Sequence, residues 1–136
     1  MTFLSYTDTR QQLRSALNTA EHGVPIGISR RDSRVVLVDL ELFQELLMSC
    51  PLIGRPEAVA EEGGWSVLLP GTPIAAEGDD LDDAIGEFIV ALREYAEDWI
   101  ARLRNAPNHA RNWPLVQLVR LSTDATLLDW VCGSDR

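Results

Sequence analysis

Hydrophobic and polar positions in the first fifty residues follow the periods of short strands and helices. Residues 2–6 are β-prone, and the short polar side chains at 7–9 can accept the free N–H groups of a starting helix. We expect this helix to run to about Glu21, because Gly23 supplies a left-handed stop. Its apolar residues lie three or four positions apart, as Leu13, Ala16, Leu17 and Ala20.

Two aliphatic runs follow, at residues 24–29 and 34–38. Both are rich in residues that favour strands, and the polar segment 30–33 between them suits a hairpin turn. Asp39 is placed to cap a second helix over residues 40–48. The first module is therefore predicted to have the order β-α-β-β-α.

Residues 50–63 contain several residues that interrupt regular structure, namely Pro51, Gly54, Pro56 and Gly63. A stretch of this composition is typical of a boundary between modules. We therefore predict a linker at residues 50–63, between a first domain at 1–49 and a second domain at 64–136.

The second domain begins with two predicted strands, at residues 65–69 and 74–77, on either side of a proline-rich turn. The longest helix follows Gly78, because one apolar stripe continues at helical spacing as far as Leu103. Residues 115–121 are apolar on both faces and predict a strand that is covered on both sides or lies in a dimer seam. A short final helix follows, capped by Ser122 or Thr123. The chain is thus predicted to be α+β, with a ββαβ second domain and a short terminal helix.

The chain has 136 residues, a net charge of -9 and no lysine, and its charge is unevenly distributed. Residues 1–34 contain five arginines and three acids, a charge of +2, whereas residues 35–136 contain seven arginines and 18 acids, a charge of -11. Since salt limits the reach of exposed charges to about 8 Å, the basic segment can bind a polyanion although the whole chain is acidic. The acidic remainder repels nucleic acid and favours a basic protein partner.

Cys50 and Cys132 are too few and too isolated to predict a disulfide framework or a metal site, and we expect both to be small buried residues. No apolar run approaches the ~18 residues that a membrane span needs, and no signal segment opens the chain. We therefore expect a cytoplasmic protein. Oligomerisation is also expected, because small domains bury little surface on their own.

Three segments of the first domain carry a family resemblance: SYTDTRQQL at 5–13, PIGISR at 25–30, and VVLV at 35–38 with the helix LELFQEL at 40–46. In order, in spacing and in both signature arginines they resemble the Phd/YefM antitoxins. The resemblance implies a dimer whose strands pair across the two-fold axis and which binds operator DNA to repress its own operon. It also implies that Arg10 and Arg30 contact the DNA.

A second resemblance lies in WSVLLPGTPIAAEG at 65–78, followed by DDA at 82–84 and LREY at 92–95. This order of strand, proline turn, strand, glycine and acidic helix start is similar to HicB antitoxin domains, over residues 64–121. Typical Phd/YefM proteins continue instead into a flexible toxin-wrapping tail, and HicB proteins usually carry their DNA-binding part after this domain. The resemblance implies that the second domain holds the toxin, and the surface that touches it stays open.

Arginine suits DNA contacts because its planar donors match phosphate oxygens and the O6/N7 edge of guanine. Arg10 lies in the first turn of the predicted helix, where the helix dipole disfavours a cation, so its position indicates a functional role. The alternatives are that Arg10 pairs with Asp8 and that Arg30 and Arg31 form a solvated hairpin tip. The predicted DNA-binding residues are Arg10, Arg14, Ser29, Arg30 and Arg31.

All four tryptophans lie in the second domain, where they either build its core or anchor a partner. We expect Trp65 and Trp99 in the core, and Trp113 and Trp130, which have loop-like neighbours, at an interface. Acids outside the apolar stripe of the long helix suit a basic toxin. The predicted toxin-binding residues are Trp113, Trp130, Glu94 and Asp98.

An aspartate cluster at residues 79–83 raises the alternatives of a metal site or a catalytic carboxylate pair. Its spacing fits no calcium loop, and acids at a helix start are stabilised by the helix dipole, which favours a structural role. His22 and His109 have no ligand-spaced partner and are predicted to lie on the surface. We therefore predict no metal, no cofactor and no enzymatic activity.

Together these features predict the antitoxin of a type II toxin–antitoxin system, which neutralises a toxin by direct binding and represses its own operon. The toxin is expected to be basic and RNA-cleaving, because an RNase binds polyphosphate and an acidic inhibitor can mask such a site. One alternative is a toxin-independent dimeric transcriptional regulator whose second domain senses a ligand or only oligomerises. An adjacent reading frame for a short basic protein would argue against it. The other alternative is an enzyme that uses the aspartate cluster.

Overall fold

The computed structural model describes residues 3–133. It confirms the α+β class and divides into two compact units, Met1–Leu46 and Leu47–Arg136, each with a three-stranded sheet among the described residues. Thr2, the first residue of the predicted opening strand, lies outside the described residues.

The first part of the chain alternates strands and helices. Its elements are β1 (Phe3–Ser5), α1 (Tyr6–Gln11), α2 (Leu13–Glu21), β2 (Ile26–Arg30), β3 (Ser33–Leu37) and α3 (Leu40–Met48). β1 pairs in parallel with β2, and β2 pairs antiparallel with β3, so β2 is the central strand. The hairpin predicted between the two aliphatic runs is present as β2 and β3.

Side-chain caps determine where these helices begin. Ser5 Oγ accepts the backbone N–H of Asp8 at 3.0 Å, so α1 starts at Tyr6, ahead of the polar residues 7–9 that were expected to cap it. Asp39 caps α3 as predicted, since its Oδ1 accepts the backbone N–H of Leu42 at 3.1 Å. The single helix predicted up to Glu21 is instead interrupted at Gln12, whose φ of -113° and ψ of 26° are not helical.

The core of the first unit is thin. Thr9, Ala16 and Ala20 are buried, whereas Val35 and Val36 of β3 are 58% and 60% exposed. Other large apolar side chains of this unit are also exposed: Tyr6, Leu13, Leu17, Val24, Leu40, Leu42 and Leu46. Apolar surface of this extent marks an interaction site on a folded protein.

The second unit contains an antiparallel sheet followed by helices. Its elements are β4 (Glu57–Glu61), β5 (Gly64–Leu68), β6 (Ala75–Gly78), α4 (Leu81–Asp98), α5 (Trp113–Leu121) and α6 (Asp124–Cys132). The strand order is β4-β5-β6, and the π-helical turn Trp99–Leu103 extends α4. α4 packs on β5 and β6 and also contacts α5 and α6, so its buried Phe88 and Leu92 lie at the centre of the core.

The prediction of an irregular linker at residues 50–63 is wrong in its second half. Strand β4 lies there and pairs antiparallel with β5, with Glu61 opposite Gly64. Gly63 has a φ of 89°, so this glycine, which suggested an interruption of regular structure, forms part of a tight hairpin turn. Residues 57–61 read Glu-Ala-Val-Ala-Glu, which has no clear alternation, so the sequence carries only a weak signal for this strand.

The predicted strand at residues 115–121 is also wrong, because these residues belong to helix α5. Pro114 lies in the first turn of α5, where the missing N–H of proline leaves no hydrogen bond unmade. A short apolar run fits a strand and a buried helix equally well, and four of these residues are buried, namely Leu115, Val116, Leu118 and Val119. The described second unit therefore lacks the predicted ββαβ order, whereas the short terminal helix is confirmed as α6, capped by Thr123.

Arg93 connects α4 to both helices that follow. Its guanidinium donates to the backbone carbonyls of Val119 and Ser122, the latter at 2.8 Å, and it pairs with Asp124 at 2.7 Å. The two carbonyls lie at the C-terminal end of α5, where the helix dipole favours a cation. One side chain thus holds the end of α5 and the start of α6 against α4.

Gly78 lies at the closest approach between β6 and the start of α4. A Cβ on Gly78 would lie 2.4 Å from the backbone nitrogen of Ala84, which is fully buried. We expect Gly78→Ala to lower the free energy of unfolding by about 2–3 kcal/mol, because the two backbones must separate. Urea unfolding measures this change. Gly86→Ala is the control, since a Cβ there meets nothing within 4 Å, and equal stability of the two variants would contradict the prediction.

Candidate functional site

The parallel pairing of β1 and β2 places the start of α1 beside the hairpin turn. Ser5, the last residue of β1, lies opposite Ser29 near the end of β2. Parallel strands end at the same edge of a sheet, so α1, which follows β1 directly, begins next to Arg30. This register brings two arginine-bearing segments of the first unit together.

Tyr6 lies near both Arg30 and Arg10, and all three side chains are exposed. The guanidinium carbon of Arg30 lies 5.4 Å from the centre of the Tyr6 ring, a cation–π contact. Tyr6 and Arg10 lie four residues apart in α1 and therefore on the same helix face. Both arginines are exposed, so they can approach a phosphate backbone together.

The structure corrects one argument made for Arg10. Arg10 lies in the last turn of α1, where the helix dipole favours a cation, so the predicted first-turn position that indicated a functional role is wrong. Among residues 3–133, Arg10 makes no ion pair with Asp8, whose backbone N–H is bound to Ser5. In the hairpin turn, Arg30 contacts the Tyr6 ring of another element, whereas Arg31 is solvent-exposed. We define the arginine surface as Arg10, Tyr6 and Arg30.

The remaining predicted DNA-binding residues lie around the arginine surface in different ways. Arg14 is exposed on α2, after the interruption at Gln12, and Arg31 is exposed in the turn between β2 and β3. Ser29 is half-buried, and its hydroxyl donates to the carbonyl of Leu4 at 3.5 Å. The Ser29 side chain is therefore directed toward β1.

Arg31 has a φ of 54°, a left-handed conformation that asparagine tolerates better than other residues with side chains. We expect Arg31→Asn to be more stable than Arg31→Ala by about 0.5–1 kcal/mol, because both remove the charge and only alanine keeps the strain. Thermal unfolding of the two variants measures the difference. An alanine variant as stable as the asparagine variant would show that the turn is unstrained.

The predicted toxin-binding residues lie on different helices of the second unit. Glu94 and Asp98 are exposed one turn apart on α4, and Asp98 pairs with Arg102 at 3.4 Å. Trp113 is 47% exposed at the start of α5, and Trp130 on α6 is half-buried. Trp130 lines a cavity of about 670 Å³.

Trp99, Tyr95 and His109 are joined by hydrogen bonds within the second unit. Trp99 is buried as predicted, and its Nε1 donates to the carbonyl of His109 at 2.8 Å. Trp65 is half-buried. His109 is half-buried and not on the surface as predicted, because its Nδ1 lies 2.8 Å from the hydroxyl of Tyr95, which also binds Asn112. Sequence reasoning missed this network because its residues come from separate turns of the chain.

The aspartates at 79–83 lie just before α4 and in its first turn. Asp80 is the N-cap, and its Oδ1 accepts the backbone N–H of Asp83 at 2.8 Å. Within the part of the chain that the structure describes, no group of three or more His, Cys, Asp or Glu side chains is arranged to hold a metal ion.

Cys132 is exposed, contrary to the prediction, and Cys50 is partly buried. Every helix among residues 3–133 is too short or too polar to span a bilayer.

Comparisons with known proteins identify the family. Residues 1–131 match the profile of the PHD-like family, described as antitoxins of RelE/RelB toxin–antitoxin systems. The fold is shared with a crystal structure from Syntrophomonas wolfei subsp. wolfei, described as an antitoxin part of a proposed toxin/antitoxin system, with a TM-score of 0.77 and 22% identity over 96% of each chain. No curated protein matches the sequence. The chain belongs to the PHD-like family of antitoxins, which are regulatory proteins and not enzymes.

Proposed function

We propose that this antitoxin represses its own operon as a dimer that binds operator DNA through the first unit, and neutralises a toxin by direct binding through the second. The observation that carries the DNA-binding part is the convergence of Arg10 and Arg30 on the arginine surface. These residues come from two segments of the chain, and the strand register and the Tyr6 contact bring them to one exposed face.

The exposed apolar residues of the first unit support the dimer. β3 is an edge strand whose outer backbone groups are free to pair with another strand, and its Val35 and Val36 are more than half exposed. Pairing with β3 of a second copy would satisfy those groups and shield part of each valine, one on either face of the sheet, from water. A dimer also doubles the arginine surface, and about six phosphate contacts would give a salt slope of roughly -5 in a plot of log affinity against log salt.

The charge of the second unit supports toxin binding. Its sequence holds seven arginines and 15 acids, a charge of -8. Such a surface repels nucleic acid and complements a basic protein, as expected of an RNA-cleaving toxin. Glu94 and Asp98 on α4, with Trp113 and Trp130 on the following helices, are the positions at which sequence reasoning places the toxin.

Neutralisation in cells tests the toxin-binding part. Cells that express the toxin encoded beside this chain should resume growth when the full-length chain is co-expressed, and the two proteins should purify as one complex. A chain that binds its operator, but neither rescues growth nor purifies with the toxin, would contradict direct neutralisation.

A further inference from the structure

Within the described part of the second unit, α4 covers one face of the sheet and the other face is open. A side chain at Gly78 would be directed toward α4, because a Cβ there would lie 2.4 Å from the backbone nitrogen of Ala84. Trp65 is the cross-strand partner of Gly78, and Val67, two residues further along β5, is only 1% exposed, so these residues mark the covered face. Residues at the alternate positions of the three strands point the other way.

The open side combines apolar residues with acids. β4 is exposed along its whole length. The register aligns Glu57 with Leu68 and then Ala75 across the sheet, and it aligns Val59 with Ser66 and then Glu77. We define the open sheet face as Glu57, Val59, Glu61, Leu68, Ala75 and Glu77. This face therefore has an apolar centre with glutamates around it.

β4 also lies at the edge of the sheet. It pairs with β5 on one side, and in an antiparallel sheet every second residue of an edge strand turns its N–H and C=O groups outward. Among the described residues, the backbone hydrogen bonds of turns and caps do not involve Glu57–Glu61. A further strand can therefore add to this edge, a common mode of peptide recognition.

Charge selects which strand can occupy the edge. If two copies of β4 paired antiparallel about Val59, Glu57 of each copy would lie opposite Glu61 of the other. Like charges directly opposite one another destabilise a sheet, so a second copy of this chain is disfavoured. A strand with Arg or Lys at two positions four residues apart would instead meet a glutamate at each position.

The outer face of α4 is a weaker candidate for docking. Glu87, Glu94 and Glu97 are exposed there, but the backbone groups of this helix already bond to one another. The helix therefore offers only side chains, and exposed charges on such a face are usually solvated. The open sheet face offers side chains, an apolar centre and free backbone groups together.

We propose that the toxin docks on the open sheet face by adding an extended basic segment to β4. This inference rests on the proposed toxin-binding function and names the surface that performs it. The backbone of the added segment pairs with the free edge, its cationic side chains pair with Glu57 and Glu61, and an apolar side chain between them covers Val59.

Charge reversal at matched positions tests this surface. Glu57→Lys/Glu61→Lys alters the open sheet face, and Glu87→Lys/Glu97→Lys makes the same change in net charge on exposed positions of α4. The Kd of each full-length variant for the toxin encoded beside this chain is measured by titration calorimetry. We expect about 100-fold weaker binding for the first pair and less than about three-fold for the second, because only the first places like charges in close contact.

A neutral variant separates the effect of charge from misfolding, and hydrogen exchange detects strand addition at β4. Glu57→Gln/Glu61→Gln preserves side-chain shape and should bind with an affinity between those of the unmodified chain and the lysine pair, which separates a charge effect from misfolding. Binding of the toxin should slow the exchange of backbone amides in residues 57–61 by about ten-fold or more, because strand addition protects the outward N–H groups.

The outcomes separate the surface from the function. The docking surface is wrong, although the toxin binds, if Glu94→Lys/Asp98→Lys on α4 weakens binding as much as Glu57→Lys/Glu61→Lys does. It is also wrong if amide exchange in β4 does not change when the toxin binds. If the unmodified chain does not bind the toxin, the proposed function itself fails.

Discussion

Replacing Arg10 and Arg30 together with alanine should lower the affinity of the chain for its own upstream DNA by roughly 100- to 1,000-fold at physiological salt. A dimer loses four cations that lie on exposed faces of the first unit. Each lost phosphate contact also reduces the salt slope by about 0.9, so the slope should become shallower by about 3 to 4. Fluorescence anisotropy across a salt series measures both quantities.

The control for this experiment removes the same charge from the second unit. Arg104→Ala/Arg111→Ala alters two exposed arginines far along the sequence from the arginine surface. We expect a change in affinity of less than about three-fold, because neither arginine belongs to the arginine surface and salt screens exposed charges that make no direct contact with the DNA. Equal losses from both pairs would mean that net charge, and not the arginine surface, accounts for DNA binding.

Val36→Asp should dissociate the dimer and thereby lower operator affinity at least about 100-fold, because an ionised carboxylate in an apolar seam costs several kcal/mol in each protomer. Val36 is 60% exposed on an edge strand of the single chain, so the substitution itself does not disturb the core of the first unit. Sedimentation velocity measures the oligomeric state, and anisotropy measures DNA binding.

Val90→Asp is the matched control for the dimer prediction. Val90 is 49% exposed on α4 of the second unit, so its replacement introduces the same charge outside the proposed seam. This variant should remain dimeric. A Val36→Asp protein that also remains dimeric would show that β3 is not the seam.

Helix starts could be predicted from the sequence because each depends on residues only three positions apart. Asp39 and Thr123 cap α3 and α6 by accepting the N–H of the residue three positions later, which are local bonds between neighbours in the chain. Ser5 shows the limit of such reasoning. Several polar residues near it were suitable caps, and packing of α1 selected the first of them.

The errors in the second unit have a common physical origin. The pattern of residues 115–121 is compatible with either type of element, and burial on α4 rather than local propensity decides that they form α5. Arg93 reinforces this choice from outside the segment, through the carbonyls of Val119 and Ser122. Such long-range contacts are not visible in a local pattern.

The two arginines of the arginine surface were predictable from the sequence, but the role of Tyr6 and the arrangement of the three residues were not. Residue type, local charge and the family resemblance pointed to Arg10 and Arg30. Their convergence depends on the pairing of Ser5 with Ser29 and on the contact between Arg30 and Tyr6, which lie far apart in sequence. The open sheet face was missed entirely, because it requires β4, which sequence reasoning placed in a linker.

We propose that one antitoxin molecule binds operator DNA and toxin at the same time, through different units. Mass photometry of full-length chain, operator duplex and the adjacently encoded toxin, mixed with toxin and chain in equal amounts, tests it directly. We expect a species whose mass contains all three components and which loses the DNA in the Arg10→Ala/Arg30→Ala variant. A mixture in which the toxin stays free beside a complex of chain and DNA would contradict it.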